Sequence, residues 1–468
     1  MLRKFSCVFA LGFAAACAAL ASSASSAGAA DPVPTLKLRR YSLADCLSMT
    51  DKNHPNIWAA RARLAFVHAQ LDEARYAPWF QWSASAQAGV LPEITGTSFY
   101  TSKPASARNV TSFSNLQPAF SFDINGVVPL YTFGKITSIT RAAEANVRVN
   151  EWDMEKTRQL ARMDVRRAYF GLQLARDARY LVDEAISRLR KAVEGMRQKL
   201  AKDDKSVSEV DALRLETYLE EITARSGEPQ RGETFALAAL RFMTGVQTSF
   251  DIVDEPLRRP DRPIVALAQY LAAARLFRPE INMARAGIQA RKEMVAYNRA
   301  RYFPDLGLGL GATYATSPSA TPQLGVWTPD PFNKFFYFIG FGARWNLDVL
   351  PNAARVAQAE SQLEETRAFE RLALGGAMVE VENAYGTAVE AKTREEAWDR
   401  AERKSKQWIS TVQDNIDLGS MDERALLEPL RAWGNARLNH LQALMDLNVA
   451  VSDLARVSGW DSAAPTGG

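Results

Sequence analysis

The sequence predicts an internally duplicated α+β membrane protein in which each half carries two membrane-length β-strands and long coiled-coil-like α-helical hairpins. Three observations predict it. ARYAP at Ala74 to Pro78 returns as ARYFP at Ala300 to Pro304, both times at the end of a helical pattern. Beyond each proline the apolar period changes from helical to alternating. Long proline-free stretches of helical character then follow, from Leu130 to Glu228 and from Asn352 to Glu428.

The chain has 468 residues, 47% apolar and 24% charged, the composition of a packed protein. Residues 1–30 have the anatomy of a secretory signal peptide: Arg3 and Lys4, an apolar run, then small residues up to Ala30. Charge is nearly balanced, with 57 Lys and Arg against 53 Asp and Glu. That balance argues against a nucleic-acid partner. Cleavage near Ala30 removes Cys7 and Cys17 and leaves Cys46 alone, so no intramolecular disulfide is expected. A second reading makes Cys17 a lipid-modified N-terminus, although Ala14, Ala15 and Ala16 before it lack the large aliphatic residue such sites carry. Past the signal no apolar run is long enough for a transmembrane helix, so membrane entry has to use strands.

The halves start and end alike. Leu43 and Leu47 precede Pro55 as Leu267 and Leu271 precede Pro279, and ALRFMTG ending at Gly245 resembles DLARVSG ending at Gly459, each a helix end with its capping glycine. Pro256, Pro260 and Pro263 mark a linker. The expected organisation is a signal peptide (1–30), a first repeat (31–250), a linker (251–263), a second repeat (264–460) and a short tail (461–468).

In each repeat a helix runs up to Pro78 or Pro304, the helix-to-strand hinges. After Pro304, Leu306, Leu308, Leu310, Ala312 and Tyr314 share one face of a strand and Gly307, Gly309, Gly311 and Thr313 the other. Tyr337, Ile339, Phe341, Ala343 and Trp345 alternate in the same way with Phe338, Gly340, Gly342, Arg344 and Asn346. The first repeat offers WSASAQAGV from Trp82, then Phe120, Phe122 and Ile124 against Ser121, Asp123 and Asn125. About ten residues suits a tilted strand crossing a bilayer. A sheet with one buried face would alternate similarly. The Ser-, Thr-, Pro- and Asn-rich stretches from Pro92 to Gln117 and from Thr316 to Asn333 are expected to be exposed loops.

From Lys135 to Leu200 a continuous helix would measure about 100 Å. Val182, Ile186, Leu189, Val193, Met196 and Leu200 follow coiled-coil spacing, and Val381, Ala384, Ala388 and Ala391 suggest close helix approach. The chain reverses at two acidic segments that contain Asp203, Asp204, Ser208, Gly419 and Ser420. Ser206 or Ser208 in the first and Ser420 in the second are placed to cap the returning helices. SGEPQRGE at Ser226 to Glu233 is expected to be a surface loop interrupting the first of these.

Four strands cannot close a barrel, and open sheet edges are not tolerated in lipid, so copies must combine: two give eight strands and three give twelve. The duplicated halves, the helix-to-strand prolines, VPLYTFGK from Val128 and the segment from Asp417 to Gly459 together resemble the TolC-like outer-membrane efflux proteins over nearly all of the chain. The resemblance implies a homotrimer with one twelve-stranded barrel and an α-helical periplasmic tunnel. It also implies outer-membrane lipid around the barrel, a periplasmic adaptor protein, and an inner-membrane pump of RND or ABC type. By position it points to Glu209 and Glu428 as the acidic constriction of the tunnel, and to Asp203, Asp204, Ser208, Gly419, Ser420, Leu426 and Leu427 as adaptor-docking tips. Ala425 stands where the family often has an acidic residue after the turn glycine, and the first tip has no such glycine.

No enzyme motif occurs, and no cofactor or metal is expected. His54, His68 and His440 are far apart without metal-site spacing, and the two former, with Trp398, Trp408 and Trp433, are expected to pack between helices. A periplasmic coiled-coil scaffold without a pore, or a duct for secreted polypeptide, are the rival functions.

Overall fold

The computed structural model describes residues 39–95, 110–202, 208–246, 250–320, 322, 330, 332–418, 420, 421 and 423–463. The expected signal peptide, Asp203, Asp204, Ser206 and Gly419 lie outside them. The first half runs β1 (Arg39–Tyr41), α1 (Leu43–Asn53), α2 (Pro55–Tyr76), β2 (Gln81–Thr95), β3 (Val110–Tyr131), α3 (Lys135–Ala201), α4 (Glu209–Arg225) and α5 (Gly227–Thr244). The second runs β4 (Phe250–Ile252), α6 (Leu267–Phe277), α7 (Pro279–Ala300), β5 (Asp305–Thr316), β6 (Lys334–Arg344), α8 (Val349–Asp417), a 3-10 turn (Glu423–Leu426), α9 (Leu427–Val457) and α10 (Trp460–Ala463).

Local chemistry sets the boundaries. Ser42 and Asp45 form a reciprocal capping box at the start of α1, and the hydrogen bonds from Ser42 hold the Asp45 carboxyl below its ordinary range. His54 ends α1 and starts α2, its Nδ1 accepting from the Asn56 N–H at 3.2 Å, with Pro55 at the first helical position. His54 is buried and burial lowers its pKa, whereas His68 is exposed on α2. His54 is thus a cap that also packs edge-on against Phe242 of α5, and His68 is exposed. Trp408 is about half exposed, at 48%.

Packing is distributed over several small clusters along the long helices. Around the middle of α3, Val165, Tyr169 and Leu172 meet Cys46 of α1, Leu240 and Met243 of α5, and Phe250 and Ile252 of β4, which pairs in parallel with β1. Burial pushes the Cys46 thiol up to about 12, so it stays neutral. In the second half Val381, Ala384, Ala388 and Ala391 of α8 meet Leu447, Ala450 and Leu454 of α9 and Tyr270 and Ala274 of α6. The alanine spacing read from the sequence is therefore a helix-crossing seam. Farther out, Leu189 of α3 packs on Leu215 and Leu219 of α4, flanked by Ile186, Val193 and Met196.

Gly245 and Gly459 end α5 and α9 at φ of +72° and +75°. A Cβ on Gly459 would stand 2.8 Å from the Phe277 carbonyl carbon at the end of α6. Gly459→Val combines left-handed backbone with a backbone clash, and is expected to lower the unfolding free energy by about 2–4 kcal/mol in denaturant titrations.

Three details differ from the sequence reading. The strands of the first half extend into the stretch expected to be loop: β2 reaches Thr95, and β3 starts at Val110. Prolines are tolerated there because Pro92 lies on an edge strand beside a register shift, Pro118 lies beyond the reach of β5, and Pro129 sits at a bulge. SGEPQRGE is no loop: α4 passes into α5 through Ser226 alone, with Pro229 in the first turn where its missing N–H costs nothing. Ser420 does not cap α9. Its hydroxyl and N–H both donate to the Asn415 carbonyl at 2.9 Å, closing α8, because the 3-10 turn separates it from α9.

Candidate functional site

The four long strands form one antiparallel sheet in the order β2-β3-β5-β6. The register assigns the faces. Trp82, Ala84, Ala86, Ala88 and Val90 of β2 lie opposite Gly126, Ile124, Phe122, Phe120 and Pro118 of β3. Phe122, Ile124 and Val128 lie opposite Tyr314, Ala312 and Leu308 of β5, which in turn face Phe335, Tyr337 and Phe341 of β6. One face is therefore apolar across all four strands. The other carries Ser83, Ser85, Gln87, Ser121, Asp123, Asn125, Thr313 and a run of glycines, and there Thr313 Oγ1 donates to Asp123 Oδ1 at 2.8 Å.

These strands make their contacts with one another, and no helix covers the apolar face among the described residues. Phe341 is 86% exposed, Ile339 72% and Tyr337 70%. A water-soluble sheet would bury such a face. From Leu306 to Tyr314 the band spans about 27 Å along the strand, close to the roughly 25 Å apolar band of outer-membrane barrels. Aromatic side chains close both ends: Tyr314 and Phe335 at one, and Trp82, Tyr131, Phe133, Phe303 and Trp345 at the other. Pro78 and Pro304 lie in the turns where α2 and α7 give way to β2 and β5. Lys135 at the start of α3 ties that junction, donating to the Phe303 carbonyl and the Asp305 carboxylate at 2.8 Å each.

At the opposite end of the helices, Glu209 is the first residue of α4 and Glu428 stands in the first turn of α9, both exposed. Ser208 caps α4 by accepting from the Val210 N–H at 3.3 Å. Leu426 is half-buried, and Leu427 packs on the Leu189, Leu215 and Leu219 cluster. Of the leucine pair, Leu427 holds the two hairpins together. Sequence reasoning missed the ion pairs that help it: Arg197 meets both Glu216 oxygens at 2.6 and 2.9 Å, and Arg431 reaches Glu221 at 3.5 Å while lying over the Tyr218 ring. The first lies within one hairpin, and only pairing across the two hairpins could have revealed the second.

The profile of the Outer membrane efflux protein family matches residues 46–245 and 270–460. The chain belongs to that family. Its fold is that of solved relatives. CusC has a TM-score of 0.71 at 16% identity, with 92% of this chain and 95% of that one covered. MtrE of Neisseria gonorrhoeae, an outer membrane channel crystallised in its open state, has a TM-score of 0.69 at 16% identity, covering 92% and 93%. CmeC of Campylobacter jejuni has 0.69 at 17%, covering 89% and 85%. No curated relative matches the sequence. As an outer membrane efflux protein the chain is a transport duct and not an enzyme, located in the outer membrane.

Proposed function

We propose that three copies of this chain close a twelve-stranded barrel in the outer membrane, with their long helices forming a tunnel through the periplasm. It would be the exit duct of an inner-membrane pump joined by a periplasmic adaptor. The observation that carries this is the continuous apolar face of a sheet that, among the described residues, is uncovered and has unpaired β2 and β6 edges. Lipid covers the face, and edge pairing between copies satisfies the backbone. The two halves are read as a tandem duplication, 31–250 and 264–460, joined by the 251–263 linker, with residues 1–30 as the export signal. A scaffold without a pore would have no need of this face. Whether cargo is small molecules or polypeptide depends on the pump; the duct conducts either. Detergent-extracted protein from outer membranes should have a trimeric mass and form discrete channels in planar bilayers, and a monomer without conductance would overturn the reading.

Glu428 and Glu209 are proposed to line the constriction, and the exposed tips to dock the adaptor. Glu428→Ala is expected to lower cation over anion permeability in single-channel reversal potentials, and unchanged selectivity removes Glu428 from the constriction. For docking, Leu426→Glu is the informative variant, because Leu427→Glu would unseat the tip itself. Leu426→Glu should abolish pump-dependent resistance while the protein stays in the outer membrane. Full resistance in that strain counts against the tip as docking site.

A further inference from the structure

Part-way along α8 and α9, charged side chains join three segments that are remote in sequence. Glu395, Asp399 and Glu402 lie at helical spacing on α8, and Glu395 is only 1% exposed. Its Oε1 accepts from Arg259 Nε of the linker at 2.8 Å and lies 3.1 Å from His440 Nε2 on α9. His440 Nδ1 lies 2.6 Å from Glu402 Oε2, whose carboxylate also takes Arg437 Nη1 at 3.1 and 3.2 Å. Asp399 accepts from Arg259 Nη2 at 3.1 Å and from Arg403. From α3, Asp177 faces Arg437, and Asp254 of the linker stands near Asp177.

Both ring nitrogens of His440 point at carboxylate oxygens. With both carboxylates ionised, only the doubly protonated ring satisfies both, since a neutral imidazole sets one lone pair against a carboxylate. Glu395 Oε2 is buried without a donor, so Glu395 depends on Arg259 and His440 alone. The linker makes this spacing matter. Neighbouring residues of it are held by different helices: Arg259 by Glu395 and Asp399 of α8, and the Arg258 carbonyl by Asn448 Nδ2 of α9 at 2.8 Å. Its other end rests on α3, through Gln173 Nε2 to the Glu255 carbonyl at 3.2 Å and the Leu257 N–H to Asp177 Oδ2 at 3.1 Å.

We propose that His440 is a proton-operated latch pinning α9 to α8 beneath the linker, closed while the imidazolium is charged and released as the medium turns alkaline. The Glu402 hydrogen bond, with Glu395 adding to it, outweighs burial and raises the His440 pKa above its ordinary 6.5. A raised folded-state pKa means the stabilisation is complete below 6.5 and disappears as pH rises through the folded value. Once the ring is neutral, Arg437 still holds Glu402, but Glu395 loses its charged partner on α9, and the linker's two anchors are freer to separate.

The test is a pH series on the full-length protein in detergent, from about pH 6 to about pH 9, that follows the histidine ring resonances and hydrogen exchange of the linker. His440 is identified by the resonance missing in His440→Gln. Expected is a His440 titration above the ordinary 6.5, with linker exchange, corrected for its intrinsic pH dependence, accelerating across the same window. The gain is about tenfold for each tenfold by which folding tightens proton binding. Arg259→Gln should free the linker at every pH and leave the His440 titration raised. A His440 titration at or below the ordinary value, or linker exchange unchanged across its titration, would overturn the proposal. Should His440→Gln fail to fold, His68→Gln on the exposed face of α2 removes the His68 resonance, and of the two that remain, burial holds His54 below the ordinary value.

Discussion

Leu310→Arg should remove the protein from the outer membrane. Leu310 sits at the middle of β5, on the apolar face, with Gly126 and Ile339 as its cross-strand partners. A guanidinium at the midplane of an outer-membrane barrel costs about 2–4 kcal/mol, and a trimer would carry it three times. The expected observation is loss of the heat-modifiable oligomer from outer-membrane fractions. Ser121→Arg is the matched control, since Ser121 lies on the opposite face of β3 and its side chain would reach into water. A tolerated Leu310→Arg with a lethal Ser121→Arg would mean the two faces are exchanged.

Gly311→Val should break the sheet from its other face. A Cβ at Gly311 would stand 2.2 Å from the Phe338 ring and 2.8 Å from Asn125 Oδ1, the side chains of its two cross-strand neighbours. The glycine is required because the ring of Phe338 lies across the β5 backbone and supplies the contact that residue 311 cannot. Valine must displace the ring or slip the register, and a one-residue slip would turn polar residues toward lipid. Phe338→Ala in the same chain should restore assembly. A coupling of about 1–3 kcal/mol between the two substitutions, read by denaturant titration of the extracted oligomer, is expected for residues in such contact. Independent effects would show that the ring and the glycine do not share this space.

Much of this architecture is legible in the chain because its elements are long and periodic. The alternation around Leu306 to Tyr314 and Tyr337 to Trp345 separates the two faces, and the absence of proline between Leu130 and Glu228 permits α3. Gly245 and Gly459 mark the ends of α5 and α9, as capping glycines should. What eluded the sequence depends on neighbours. Pro92 and Pro118 signal loops unless one knows which side of each strand is unpaired. Ser420 and Ser208 look alike as caps until the 3-10 turn intervenes at one tip and not the other. Glu395 and Glu402, seven apart on α8, are spaced to share a helix face, and that signal was present. Without knowing that α9 brings His440 between them, it reads as surface charge. The same holds for Leu427, whose packing against the Leu189, Leu215 and Leu219 cluster shows only once α4 is seen beside it.

The pairing of β3 with β5 carries a consequence in time. Phe122 meets Tyr314 and Ile124 meets Ala312 only after everything from α3 to α7 has been synthesised, whereas α3 with α4 and α8 with α9 close across short connections. Local contacts form fast and remote ones slowly. The helical hairpins can therefore mature while the strands wait, single and exposed, for partners from the other half and, in the proposed barrel, from other copies. Waiting is dangerous for most strands, because apolar, β-branched segments pair indiscriminately. Two of the four waiting strands, β2 rich in Ser, Ala and Gln and β5 rich in glycine, have little strand preference of their own, unlike the aromatic β6. They become strands when neighbours make them so, and in the proposed trimeric barrel, closure would be the last folding step.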